Sequence, residues 1–168
     1  DHAQRNQRPL RIAFADIRKA FPSVAHKLLV KELELVGMGE LGRYVEAVYP
    51  GVTYQVVTTH GKAEPVPWQA GVMEGMTTSP LLFAIYINVL LRWIRATSEP
   101  YALGDIRISV LAFADDTAYP SGSDEGVQDT LRKVELWGYH YGNVLHAGKT
   151  FVVGNTDPTQ TISIPNEI

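Results

Sequence analysis

A chain of 168 residues with 45% apolar content is sized for one domain with a real core. The absence of cysteine excludes disulfides, thiolate metal centres and cysteine nucleophiles, and fits a reducing intracellular compartment. A formal charge of -3 and a pI near 5.9 argue against unaided gripping of nucleic acid, which usually takes a basic surface.

In chain order, Asp1 to Pro9 reads as a polar arm with no signal-peptide pattern. Leu10 to Ala15 is expected to be a short strand that delivers Asp16 at its end. Asp16 alone reads equally as a helix N-cap, and Phe21 alone as a core aromatic. Leu28, Leu29, Leu33 and Val36 carry helical spacing over Val24 to Val36, and Leu41 to Tyr49 makes a second helix before Pro50-Gly51. Two strands are then expected, Tyr54 to Thr59 and Val66 to Ala70, joined through His60-Gly61. Pro65 and Pro67 place the second at an edge.

The loop Gly71 to Pro80 leads into a strongly apolar helix over Leu81 to Ala96, with Ser79 as N-cap and Pro80 in the first turn. A Gly-bearing loop entering a helix N-terminus suits phosphate, although ordinary loop geometry explains the glycines as well. The apolar run Leu81 to Ile94, interrupted by Asn88 and Arg92, is expected to be a buried helix and too short to span a bilayer. Next comes a hairpin over about Arg107 to Tyr119, with Asp115 and Asp116 at or beside its turn. Ser121-Gly122-Ser123 caps a helix over Asp124 to Tyr141. The strands Phe151 to Val153 and Thr161 to Ile164 close the chain.

The order is β-αα-ββ-α-ββ-α-ββ, and without the inserted pair it is the split βαβ arrangement of a ferredoxin-like, α+β sheet. That topology sets the first strand beside the central hairpin, so Asp16 is expected to meet Asp115 and Asp116. Three packed carboxylates repel unless a cation answers them, and hard oxygen donors select Mg²⁺ or Mn²⁺.

Phe14-Ala15-Asp16-Ile17-Arg18-Lys19-Ala20-Phe21, Gly71 to Asn88, and Phe113-Ala114-Asp115-Asp116 resemble the palm of a reverse transcriptase, nearest to the non-LTR retrotransposon type. Leu145 to Thr150 resembles that family's later lysine-bearing motif, and Phe151 to Ile164 its primer-gripping hairpin. The resemblance covers the chain from about Leu10. It implies an RNA-directed DNA polymerase palm over residues 10–168, with Asp16, Asp115 and Asp116 as ligands of two Mg²⁺ or Mn²⁺ ions. It further implies Phe21 as the gate against a ribose 2′-hydroxyl, Gly75 as the point of close backbone approach to the nucleotide, and Lys149 as general acid on pyrophosphate. RNA template, DNA primer and dNTP are the partners it implies.

Two positions depart from the family pattern. Glu74 stands beside the nucleotide where Gln is usual, and Pro22 follows the gate where Asp is usual. The chain begins at the first catalytic strand, so fingers and thumb are expected to be absent and the isolated chain inactive in processive extension. A second reading follows: a catalytically silent relic serving as a structural subunit, with a protein partner on its exposed palm surface or on the N-terminal arm. A nucleotide cyclase is a remoter palm-type reading, and the Phe-Ala-Asp-Asp and Ser-Pro-Leu-Leu-Phe segments speak against it.

Overall fold

The structure, a computed structural model, describes residues 8–157 and 162–164. Residues 1–7 of the expected arm and Thr161 of the last expected strand lie outside the described residues. The elements in order are β1 (Arg11–Ala15), β2 (Ile17–Arg18), α1 (His26–Leu35), α2 (Gly39–Val48), β3 (Thr53–Tyr54), β4 (Val57–Thr58), β5 (Gly61–Lys62) and β6 (Val66–Pro67). After them come α3 (Ser79–Thr97), β7 (Tyr101–Leu103), β8 (Ile106–Ile108), β9 (Leu111–Phe113), β10 (Asp116–Ser121), α4 (Asp124–Tyr141), β11 (Val144–Leu145) and β12 (Phe151–Gly154). The chain divides into two compact units, Asp1–Lys19 with Ile87–Ile168, and Ala20–Tyr86.

The first unit is built on a four-stranded antiparallel sheet in the order β12-β1-β10-β9. Side chains on a strand alternate between faces. Ala13 and Ala15 on β1, and Thr117 and Tyr119 on β10, are therefore buried together on the face that α4 covers. Val127, Leu131, Val134 and Trp137 supply the apolar stripe of α4, at helical spacing. The helix starts where Ser123 accepts a hydrogen bond from the Gly126 N–H (3.0 Å), and ends at Gly142 in the left-handed conformation. Its bounds match the sequence expectation.

The opposite face of the sheet is exposed and apolar. Phe14 stacks on Phe151 with ring centroids 5.1 Å apart, and Leu111 and Phe113 stand free, Phe113 at 85% exposure. The sheet is pinned from its covered side. Arg11 and Asp124, 5% and 2% exposed, form a buried ion pair, and the Arg11 guanidinium also donates to the carbonyls of Thr156 and Asp157 just past β12. Arg11 lies opposite Gly154 in the ladder, where any side chain would collide with the guanidinium.

The second unit packs α1 against α2, with Gly42 in contact with Val30. Gly37, at φ +80°, ends α1 through paired bonds from its own N–H to Glu34 and from the Met38 N–H to Leu33, which satisfies the last carbonyls. The expected long hairpin over residues 54–70 is instead two short ladders, β3 with β6 and β4 with β5. Pro65 has no N–H to give between them, so the ladder breaks there.

Two other expectations change. Ser79 is the first residue of α3 rather than its cap, and its hydroxyl donates to the Met73 carbonyl (2.5 Å). The helix runs to Thr97, so its 19 residues do reach the length and hydropathy of a membrane-crossing segment. Leu82, Phe83, Tyr86, Ile87, Leu90 and Ile94 are nonetheless buried within the protein. At the start of the hairpin expected over about Arg107 to Tyr119, the segment Ile106–Ile108 does not run into the acidic turn. It pairs backwards with β7 through the Gly104-Asp105 turn. Residues 162–164 of the last expected strand form no regular element.

Candidate active site

The acidic hairpin has a two-residue turn. Phe113 pairs with Asp116, leaving Ala114 and Asp115 to make the bend. Ala114 takes φ +54°, a left-handed conformation that costs an alanine on the order of 1 kcal/mol. In the neighbouring ladder Ala15 faces Thr117, and Asp16 and Asp116 each lie one residue further on. Continuing the alternation, Asp16 shares a face with Phe14, and Asp116 with Ala118, which are themselves a cross-strand pair.

A cavity of about 630 Å³ opens on that face. Its lining includes the charged side chains of Asp16, Asp116 and Lys149 and the apolar ones of Phe14, Leu111, Phe113 and Phe151. The Lys149 ammonium stands 3.5 Å from the Asp16 carboxylate. Asp115, in the turn, is not part of the lining. Among the described residues, no three acidic or imidazole side chains stand close enough together to hold a metal ion. The structure therefore brings Asp16, Asp116 and Lys149 to one locus and leaves Asp115 at its edge. Neighbouring positions where a strand begins cannot both face the same way.

Backbone bonds hold this locus. The buried Thr117 hydroxyl donates to the Ala15 carbonyl (3.0 Å), and the His146 N–H donates to the Asp16 carbonyl (2.9 Å). The His146 carbonyl in turn accepts from the N–H groups of Lys149 and Thr150, 2.9 Å each, and from the Thr150 hydroxyl (3.1 Å). Thr117 and Thr150 carry no motif of their own in the sequence. Their only signal is that each directly follows a proposed site residue. Beside them, Tyr119 is buried deeply enough for its phenol pKa to be pushed up to about 12.

Phe21, Glu74 and Gly75 meet in a separate cavity of about 290 Å³ within the second unit, with Met76, Ser79 and Pro80. Phe21 stacks on buried Phe83, with centroids 4.9 Å apart and the rings 18° from parallel. Its carbonyl accepts from the Val72 N–H (2.9 Å), while the Gly71 N–H donates to the Val24 carbonyl (2.8 Å). The Gly71 carbonyl takes two further bonds, one with a His26 ring nitrogen (2.8 Å) and one from the Trp68 indole N–H (2.9 Å). Gly75 has φ +86° and open space where a Cβ would point. Glu74 is exposed at the cavity rim.

An antiparallel sheet backed by helices, carrying acids at the end of one strand and at the turn of the adjacent hairpin, defines an α+β polymerase palm. Solved structures agree. The chain is similar to telomerase from Candida albicans in complex with a fragment of telomeric RNA (TM-score 0.68, 13% identity, 96% of this chain and 29% of that one). It is also similar to apo telomerase from Candida tropicalis (TM-score 0.63, 14% identity, 94% and 33%). In sequence, 127 residues are 30% identical to the Pol polyprotein of a type-1 R2 retrotransposable element of Nasonia vitripennis, covering 75% of this chain and 12% of that protein. Over 155 residues the chain is 30% identical to the R2DM polyprotein of Drosophila melanogaster, covering 91% and 14%. The family model described as reverse transcriptase (RNA-dependent DNA polymerase) matches residues 1–163, and the chain belongs to that family, in its non-LTR retrotransposon type. It spans only a small part of the length of these R2 relatives.

Proposed function

We propose that this chain is the palm segment of an RNA-directed DNA polymerase, with residues 10–168 forming the palm and 1–9 an arm. The reaction is nucleotidyl transfer from a dNTP to the 3′-hydroxyl of a DNA primer on an RNA template. The observation that carries this is the convergence of Asp16, Asp116 and Lys149 on one cavity in a chain of this family.

Reverse transcriptases generally use divalent metal ions, and the donor set fits a hard cation. Mg²⁺ is commonly held by one or two carboxylates plus substrate phosphates rather than by an all-protein cage. Asp16 and Asp116 would hold Mg²⁺ or Mn²⁺, with Asp115 adjoining from the turn. When bound, two such ions would supply Lewis acidity at the 3′-hydroxyl and positive charge at the leaving pyrophosphate. Lys149 carries a proton at Nζ for that leaving group, and its exposed side chain reaches the cavity from a fixed backbone. The stacked rings of Phe14 and Phe151 line the same cavity and give the acids an apolar neighbour. Phe21, braced by Phe83, is the gate against a 2′-hydroxyl, and Gly75 leaves room for the nucleotide.

Glu74 favours a second reading. A carboxylate at the rim of the Phe21 cavity opposes a triphosphate, as expected of a silent relic kept as a structural subunit whose exposed Leu111, Phe113 and Val153 meet a protein partner. Primer extension by a longer reading frame containing these residues separates the two. The enzyme reading predicts Mg²⁺-dependent cDNA that Asp116→Ala abolishes without changing the far-UV circular dichroism. No product from the longer chain under any divalent cation favours the relic.

A further inference from the structure

We infer that Lys149 is the resident counter-cation of Asp16, and that its ammonium competes with a divalent cation for that carboxylate. This rests on the metal-binding reading of Asp16 and Asp116 given above. The ammonium stands 3.5 Å from Asp16 Oδ2, and both groups line the cavity that also holds Asp116. Two acids facing one cavity repel, and Lys149 is the cation in the lining that answers them.

The anchoring of Lys149 separates what can move from what cannot. Its N–H and both Thr150 donors converge on the His146 carbonyl, while the His146 N–H holds the Asp16 carbonyl. Thr150 is buried, so the base of Lys149 is tied to the strand end that carries Asp16. The rest of the side chain is four flexible carbons, 64% exposed, against 20% for Asp16. An ion pair this exposed is worth no more than about 1 kcal/mol.

The pair is thus strong enough to place the ammonium and weak enough to yield. A divalent cation at Asp16 would repel the ammonium, and the exposed side chain is free to swing away about its fixed base. Binding linkage is reciprocal, so whatever metal loading does to Lys149, Lys149 does to metal affinity.

The test uses the chain itself and needs no polymerase activity. Mn²⁺ is titrated calorimetrically into the wild type, Lys149→Gln and Arg92→Gln, the last removing an exposed cation on α3 that does not line the cavity. Lys149→Gln should bind Mn²⁺ roughly threefold to fivefold more tightly, and Arg92→Gln should match the wild type. In parallel, the Lys149 ¹³Cε resonance, assigned by its loss in Lys149→Gln, should shift with Mg²⁺ at the midpoint of metal binding. Equal affinity in all three chains, or a Lys149 resonance that ignores Mg²⁺, overturns the inference while leaving the metal site standing. No Mn²⁺ binding by any chain overturns both.

Discussion

Asp16 and Asp116 each lie one residue beyond the last cross-strand pair, Ala15 with Thr117, of the ladder between β1 and β10, and both line the same cavity. Like charges facing each other across a sheet cost stability, and only Lys149 in that lining offsets them. Asp116→Asn removes one of the two charges and keeps the shape. We expect this variant to gain roughly 0.2–1 kcal/mol in urea unfolding at low ionic strength, with the gain shrinking as salt is added. A loss of stability would mean that Asp116 makes a favourable contact in the folded chain.

The buried Arg11–Asp124 pair joins β1, the first turn of α4 and the segment after β12. Arg11→Met should cost about 3–5 kcal/mol, because it leaves Asp124 buried without its cation. Adding Asp124→Leu should restore part of that loss, since it removes the buried charge but not the need of the Thr156 and Asp157 carbonyls for the donors they lose. Equilibrium denaturation of both variants measures the difference.

These two cases mark what was legible in the sequence. The strand ending at Asp16, the helix from Asp124 to Tyr141 and the two-strand setting of Asp115 and Asp116 rest on local signals: alternation, a serine cap, a Gly terminus. The Arg11–Asp124 pair rests on a contact across most of the chain, and no local pattern announces it. Asp115 falls outside the cavity lining, in a turn where Ala114 takes φ +54°, and an alanine gives no sign of that conformation. The β7–β8 hairpin did have a signal, Gly104-Asp105 between two β-prone runs. By β-propensity alone, the residues from about Arg107 read equally as the start of the hairpin that follows.

Gly71 is the most tightly enclosed of the glycines in the second unit. It sits at φ +93°, and a Cβ there would come within 2.8 Å of Pro22 Cα. Gly71→Ala should cost about 2–3 kcal/mol, from the disfavoured conformation together with the clash. It should also move the Phe21 carbonyl, which bonds to the next N–H, so the tryptophan fluorescence of Trp68 is a local readout of the same change.

Burial raises the Tyr119 phenol from the ordinary 10 to about 12. The unfolded chain then loses this proton at lower pH than the folded chain. The contribution is complete below pH 10 and is lost as pH rises through about 12, falling by at most ~1.4 kcal/mol per pH unit. Tyr119→Phe should flatten that alkaline decline in a stability-versus-pH series. An unchanged slope would assign the decline to other groups.

The central claim is that Asp16 and Asp116 hold a divalent cation. Paramagnetic broadening of amide NMR signals by substoichiometric Mn²⁺ tests it most directly in this chain. We predict that the signals of Ala15 to Ile17 and Asp115 to Thr117 broaden first, that Mg²⁺ reverses the effect, and that Asp116→Asn weakens it. Broadening centred elsewhere, or unaffected by Asp116→Asn, would contradict the account.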